Sequence, residues 1–189
     1  QGDPAFRKAV AGYYQRRFGV TVDPDKEVLP LVGSKEGLVN LALAFVDRGD
    51  AVLVPNIGYP AYSMGTLLAG GDPIEFPLDR KNGYLPDFDA IEQTVSKADM
   101  ARAKMLWVNY PNNPTGAVVD LDFYERAVAF CRKHNLLLCS DNPYCEVVFD
   151  GYKSPSALQA AGAKDCTVEF ISMSKTYNMA GWRLGAAGG

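Results

Sequence analysis

Apolar positions recur along the chain in two rhythms, one helical and one of short continuous runs. Ala5 to Phe18 sets apolar residues at helical spacing between Arg and Lys, and Gly19 supplies a stop. Val28–Val32 reads as a short strand and Ser34–Val46 as the helix after it. Ala51–Pro55 predicts a strand, Tyr62–Ala69 a helix and Ile74–Leu78 a strand. Asp87 is placed to cap a helix running to Val95. Lys104–Asn109 is a strand pattern, Leu121–His134 a strong helix and Leu136–Ser140 an apolar strand. Thr167–Ser172 and Arg183–Ala187 predict two more strands.

Apolar strands separated by amphipathic helices predict βαβ units. The fold class expected is therefore α/β, a three-layer α/β/α domain with a mostly parallel sheet covered on both faces. Ligands of such sheets lie beyond the carboxyl ends of the strands. Three polar clusters follow three of the strands: Tyr110–Gly116, Asp141–Tyr144 and Ser172–Thr176. A fourth, Gly33-Ser34-Lys35-Glu36-Gly37, is a strand-to-helix turn rich in small residues. Parallel strands would bring them to one sheet edge.

Composition narrows the possibilities. The 189 residues are 48% hydrophobic and 22% charged, as in a globular domain with a real core. Net charge is −3 and no basic stripe exists, which argues against a nucleic-acid partner. The longest charge-free run, Ala51 to Gly71, contains Pro55, Asn56, Pro60 and several glycines, which argues against a membrane span. No signal peptide is read at Gln1–Pro4, so a cytoplasmic location is expected. Cys131, Cys139, Cys145 and Cys166 form no CxxC pair and read as reduced cysteines. The single histidine, His134, ends a helix, where capping or solvation is expected. Neither a metal centre nor a Ser-His-Asp triad is supported. The chain opens directly into a helix and stops at Gly188-Gly189, which suggests a fragment.

Each polar turn has an ordinary reading by itself: Asn-Asn-Pro-Thr-Gly as a turn, Asp141 as a strand end, Lys175 as a surface lysine, Gly33-Ser34 as a helix cap. Together they supply a lysine, an aspartate, a tyrosine and an arginine at one edge, which describes a cofactor site. A lysine in a cleft suits Schiff-base chemistry. A carboxylate for a protonated pyridine nitrogen, with a phosphate cradle at a helix N-terminus, suits pyridoxal phosphate. Neither GxGxxG nor GxxxxGK[ST] occurs, so a nucleotide lacks its usual signal.

Ser172-Met173-Ser174-Lys175 followed by Gly181-Trp182-Arg183-Leu184-Gly185 resembles the cofactor-lysine signature of class I/II aminotransferases of fold type I. Asn113-Pro114-Thr115-Gly116 and Asp141-x-x-Tyr144 match that family in the proper places. The resemblance implies pyridoxal 5′-phosphate as cofactor. It implies Lys175 as the Schiff-base lysine and proton shuttle, and Asp141 as the partner of the pyridinium nitrogen. Asn113 and Tyr144 become donors to the ring hydroxylate, and Tyr59 the aromatic stacked on the ring. Ser34, Lys35, Ser172, Ser174 and Arg183 become the phosphate cup, with Ser174 alternatively orienting Lys175 and Lys35 alternatively facing a substrate carboxylate.

Asp150–Lys153, Gly162–Asp165 and Ser174–Trp182 are most similar to the LL-diaminopimelate aminotransferase group. The resemblance implies amino-acid and 2-oxo-acid substrates and a homodimer. Residues 1–189 would be the incomplete large domain, lacking the family's N-terminal arm and its small domain with the arginine that grips the substrate carboxylate. An alanine- or aspartate-type aminotransferase, a C–S lyase of the same fold, or a sensor domain of a transcription regulator remain alternatives.

Overall fold

The computed structural model describes residues 2–189. Seven strands form one sheet: β1 (Val28–Val32), β2 (Ala51–Pro55), β3 (Asp72–Phe76), β4 (Ala103–Asn109), β5 (Leu137–Asp141), β6 (Thr167–Ser172) and β7 (Leu184–Gly188). Their spatial order is β1-β7-β6-β5-β4-β2-β3. Pairing is parallel from β6 through β3, while β7 is antiparallel to both β6 and β1. All strands except β7 thus point their carboxyl ends to one edge, and β7 begins there.

The helices are α1 (Pro4–Phe18), α2 (Ser34–Phe45), α3 (Ala61–Ala69), α4 (Phe88–Thr94), α5 (Lys97–Arg102), α6 (Leu121–His134) and α7 (Met173–Thr176). Period-two alternation divides the strand side chains between two layers. Leu53, Leu106, Val108 and Leu138 pack with Phe88, Ile91, Phe123 and Ala127 of α4 and α6. Val52, Val54, Met105, Trp107 and Cys139 pack with Leu38, Ala42 and Tyr62 of α2 and α3. Val10, Tyr14 and Phe18 of α1 pack with Ile171 and Ala186. The sheet is therefore covered on both faces, as the three-layer expectation requires.

Three boundaries move in ways that matter. β3 starts at Asp72 rather than Ile74, because an edge strand tolerates an aspartate and a proline that a central strand would not. β5 includes Asp141 as its last residue, paired with Asn109 on one side and Phe170 on the other. β7 begins at Leu184, and Arg183 before it has a left-handed backbone with φ 50°. The charge-free run from Ala51 to Gly71 folds as β2 and α3, and among the described residues no helix is long and apolar enough to cross a membrane.

His134 corrects an expectation. Its ring packs on Phe130 at 4.7 Å between centroids, and its side chain is mostly buried. The cap of α6 is Asn135, in the left-handed conformation.

Candidate active site

The polar turns do meet at the carboxyl edge. A single cleft of about 390 Å³ is lined by all ten residues singled out in the sequence: Ser34, Lys35, Tyr59, Asn113, Asp141, Tyr144, Ser172, Ser174, Lys175 and Arg183. That volume lies within the ~300–1,000 Å³ typical of cofactor and small-molecule sites.

The floor is set by β4 and β5. Asn109 and Asp141 are register partners at the ends of these strands. The Asn109 amide donates to the Asp141 carbonyl at 2.7 Å, while its Oδ1 accepts from the backbone N–H of Asn113 at 2.7 Å. One side chain thereby ties the end of β5 to the turn after β4. Asn112 shapes that turn, its Oδ1 accepting from the backbone N–H and hydroxyl of Thr115 at 3.1 and 2.7 Å. Asn113 is left lining the cleft.

Asp141 is buried, with one carboxylate oxygen satisfied and one free. Oδ2 accepts from the hydroxyl of Tyr62 at 2.7 Å, and Oδ1 is buried without a hydrogen-bond partner. Removal from water pushes its pKa up to about 7, against the lowering effect of the Tyr62 hydrogen bond. A buried orphan carboxylate oxygen facing a cleft is costly unless a ligand donor meets it. Burial also raises Tyr62 well above the usual phenol range, and it raises Tyr144 with the Asp141 charge assisting.

The opposite wall gathers a helix N-terminus, hydroxyls and a guanidinium. α2 begins at Ser34 behind Gly33, whose φ is 76°, and no side chain caps its first turn. The first turn of α2, with its positive dipole end, therefore borders the cleft through Ser34 and Lys35. A Cβ on Gly33 would overlap the Arg183 guanidinium, so that charge rests directly against the helix entrance. Arg183 is steadied by donating to the Ala180 carbonyl at 3.2 Å and the Ser174 hydroxyl at 3.4 Å. Gly185 is equally constrained, since a Cβ there would come within 2.7 Å of the Ser34 backbone nitrogen.

Two lysines reach the cleft from different sides. Lys175 lies in α7, capped by Ser172, whose hydroxyl accepts from the Ser174 N–H at 3.3 Å. Its Nζ lies 5.6 Å from the Tyr144 ring centroid. Lys35, in the first turn of α2, has its Nζ 5.3 Å from the Tyr59 ring. Tyr59 meets Tyr62 edge-on at 6.1 Å.

Sequence reading missed Asn109 and Tyr62. Asn109 reads as the end of an apolar strand, and Tyr62 as the first residue of a helix. No local pattern marks either one. Both reach Asp141 on β5, distant in sequence.

The fold and this site define a class of cofactor enzyme, and comparison with known proteins identifies it. The whole chain, residues 1–189, matches the model of the family "Aminotransferase class I and II". The chain belongs to that family, whose members use pyridoxal phosphate. Among relatives, it is 53% identical over 189 residues to an LL-diaminopimelate aminotransferase of Dehalococcoides mccartyi, covering 100% of this chain and 48% of that protein. It is 53% identical to the LL-diaminopimelate aminotransferase of Moorella thermoacetica, covering 100% and 47%. Among solved structures, substrate-bound BacF from Bacillus subtilis superposes with a TM-score of 0.92 at 43% identity, covering 100% of this chain and 47% of that one. A probable N-succinyldiaminopimelate aminotransferase from Thermus thermophilus superposes at 0.90 with 43% identity, covering 98% and 48%. The chain spans about half the length of the curated relatives it matches.

Proposed function

We propose that the protein carrying this chain is a pyridoxal-phosphate aminotransferase acting on LL-diaminopimelate, with 2-oxoglutarate as amino acceptor. The observation that carries the cofactor site is the buried, unpartnered Oδ1 of Asp141 in the same cleft as Lys175 and the Gly33–Arg183 cradle. The substrate reading rests on the relatives of that name at about half identity. Residues 1–189 form the cofactor half of the large domain, in keeping with the share of the relatives they span. The active protein is a cytoplasmic homodimer, a reading that rests on the family.

The residues present fit the cofactor. The α2 N-terminus, Ser34, Lys35, Ser172, Ser174 and Arg183 would hold a phosphate through N–H, hydroxyl and cationic donors. Asn113 and Tyr144 would donate to an oxygen on the ring, and Tyr59 would cover its face. Oδ1 of Asp141 would accept a ring N–H, and the new positive charge would hold Asp141 ionised. Pyridoxal phosphate, when bound, supplies an aldehyde for an amine and an electron-poor ring that withdraws electrons from the substrate Cα. Lys175 would take up the aldehyde through Nζ. The same Nζ, when free, would be the base that takes the proton from the substrate Cα.

The test is an assay of the full protein with LL-diaminopimelate and 2-oxoglutarate. Glutamate is the expected product. No glutamate here, with thiol and ammonia released instead from a cysteine thioether such as cystathionine, would place the protein among C–S lyases of this fold.

A further inference from the structure

Asp141 does not stand alone in its pocket, and its partner is a residue with no assigned role. Tyr62 is buried on α3, and its ring lies nearly flat on Trp107, 4.7 Å between centroids at 13°. Trp107 stacks in turn on Phe170 at 5.7 Å, and Tyr59 closes the other side edge-on at 6.1 Å. These three rings fix the phenol in place. They aim its hydroxyl at Oδ2 of Asp141. The main chain of Asp141 is held independently by the Asn109 amide. A phenylalanine would fill the stack equally well, so packing does not account for the hydroxyl.

We propose that Tyr62 is a positioning residue, whose hydroxyl occupies Oδ2 of Asp141, favours the carboxylate form, and leaves Oδ1 as the single acceptor for a protonated ring nitrogen. This rests on the reading of the cleft as a pyridoxal-phosphate site. The geometry makes Asp141 a one-donor receptor, since Oδ2 is taken by the Tyr62 hydroxyl and Oδ1 is buried with no hydrogen-bond partner. Other groups bear on the carboxylate more weakly. Lys35, Lys175 and Arg183 line the cleft, but among the described residues none forms an ion pair with Asp141. Tyr59 and Tyr144 line the same cleft, and among the described residues neither hydrogen-bonds Asp141.

The inference is tested on the cofactor-free full protein by following the Asp141 carboxyl carbon by NMR as pH is varied, with the resonance assigned from Asp141→Asn. Tyr62→Phe removes the donor and should move the titration midpoint up by about 1 pH unit or more. Replacing Tyr62 with 3-fluorotyrosine keeps the shape but sharpens the donor, and should move the midpoint down. A purely structural residue would not track phenol acidity in this way. A midpoint unmoved by both replacements overturns the inference. The cofactor reading fails separately, if the full parent protein takes up no pyridoxal phosphate in an absorbance titration.

Discussion

The guanidinium of Arg183 stands in the space that a Cβ on Gly33 would fill, although the two residues lie near opposite ends of the chain. The contact exists because β7 runs back between β1 and β6, placing Leu184 opposite Val32. Gly33→Ala should therefore do two things. At φ 76° an alanine is strained, and its methyl group pushes Arg183 off the helix entrance. Affinity for pyridoxal phosphate should fall by about tenfold or more, the scale of one lost charge-assisted contact. Affinity for pyridoxal, which has no phosphate, should change little. Parallel absorbance titrations with the two compounds check this.

Asp141 should write its burial into the stability of the cofactor-free protein. Its pKa rises from an ordinary carboxylate value to about 7 in the folded chain. Between about pH 4 and pH 7 the native state then holds a proton that the unfolded chain has released. Stability falls as pH rises through that window, by at most about 1.4 kcal/mol per pH unit from this group. Asp141→Asn should flatten that portion of the curve and gain on the parent above pH 7. Urea unfolding at a series of pH values measures the difference. An unchanged slope would mean that Asp141 ionises in the native state as it does in water.

Glu169 is a second buried carboxylate, on the sheet face away from Tyr62. It accepts from Ser140 at 3.0 Å, Ser156 at 2.6 Å and the Ala157 N–H at 2.8 Å, and burial holds its pKa up. Glu169→Ala strands all three donors in the interior and should cost about 3 kcal/mol or more, at about 1–3 kcal/mol per unsatisfied group. Glu169→Gln keeps an acceptor oxygen and should cost less. Chemical denaturation of the two variants gives the order, and a Gln variant as damaged as the Ala variant would contradict it.

Much of this architecture was legible in the linear pattern. Central strands are continuous apolar runs because both faces are covered, and the polar turns after β4, β5 and β6 line one cleft at the carboxyl edge. What escaped reading has identifiable causes. Asp72 and Pro73 look like turn residues, and only their place on an edge strand admits them to β3. α5 is six residues held by a Ser96 cap, too short for an apolar period to register. Asn109 and Tyr62 matter through partners on β5, which no window along the sequence contains. The cleft residues were found because family motifs mark them. Their supporting residues carry no motif, only a position in the fold.

Lys175, rather than any other amine, is the proposed anchor of the cofactor. The cleft offers a direct alternative, since Lys35 also lines it from the α2 side. Borohydride reduction of the full protein loaded with pyridoxal phosphate, followed by peptide mass mapping, decides between them. The expected result is a pyridoxyl adduct on Lys175, and a Lys175→Ala variant that still binds the cofactor but acquires no adduct. An adduct on Lys35 or on any other lysine in the parent protein would contradict it.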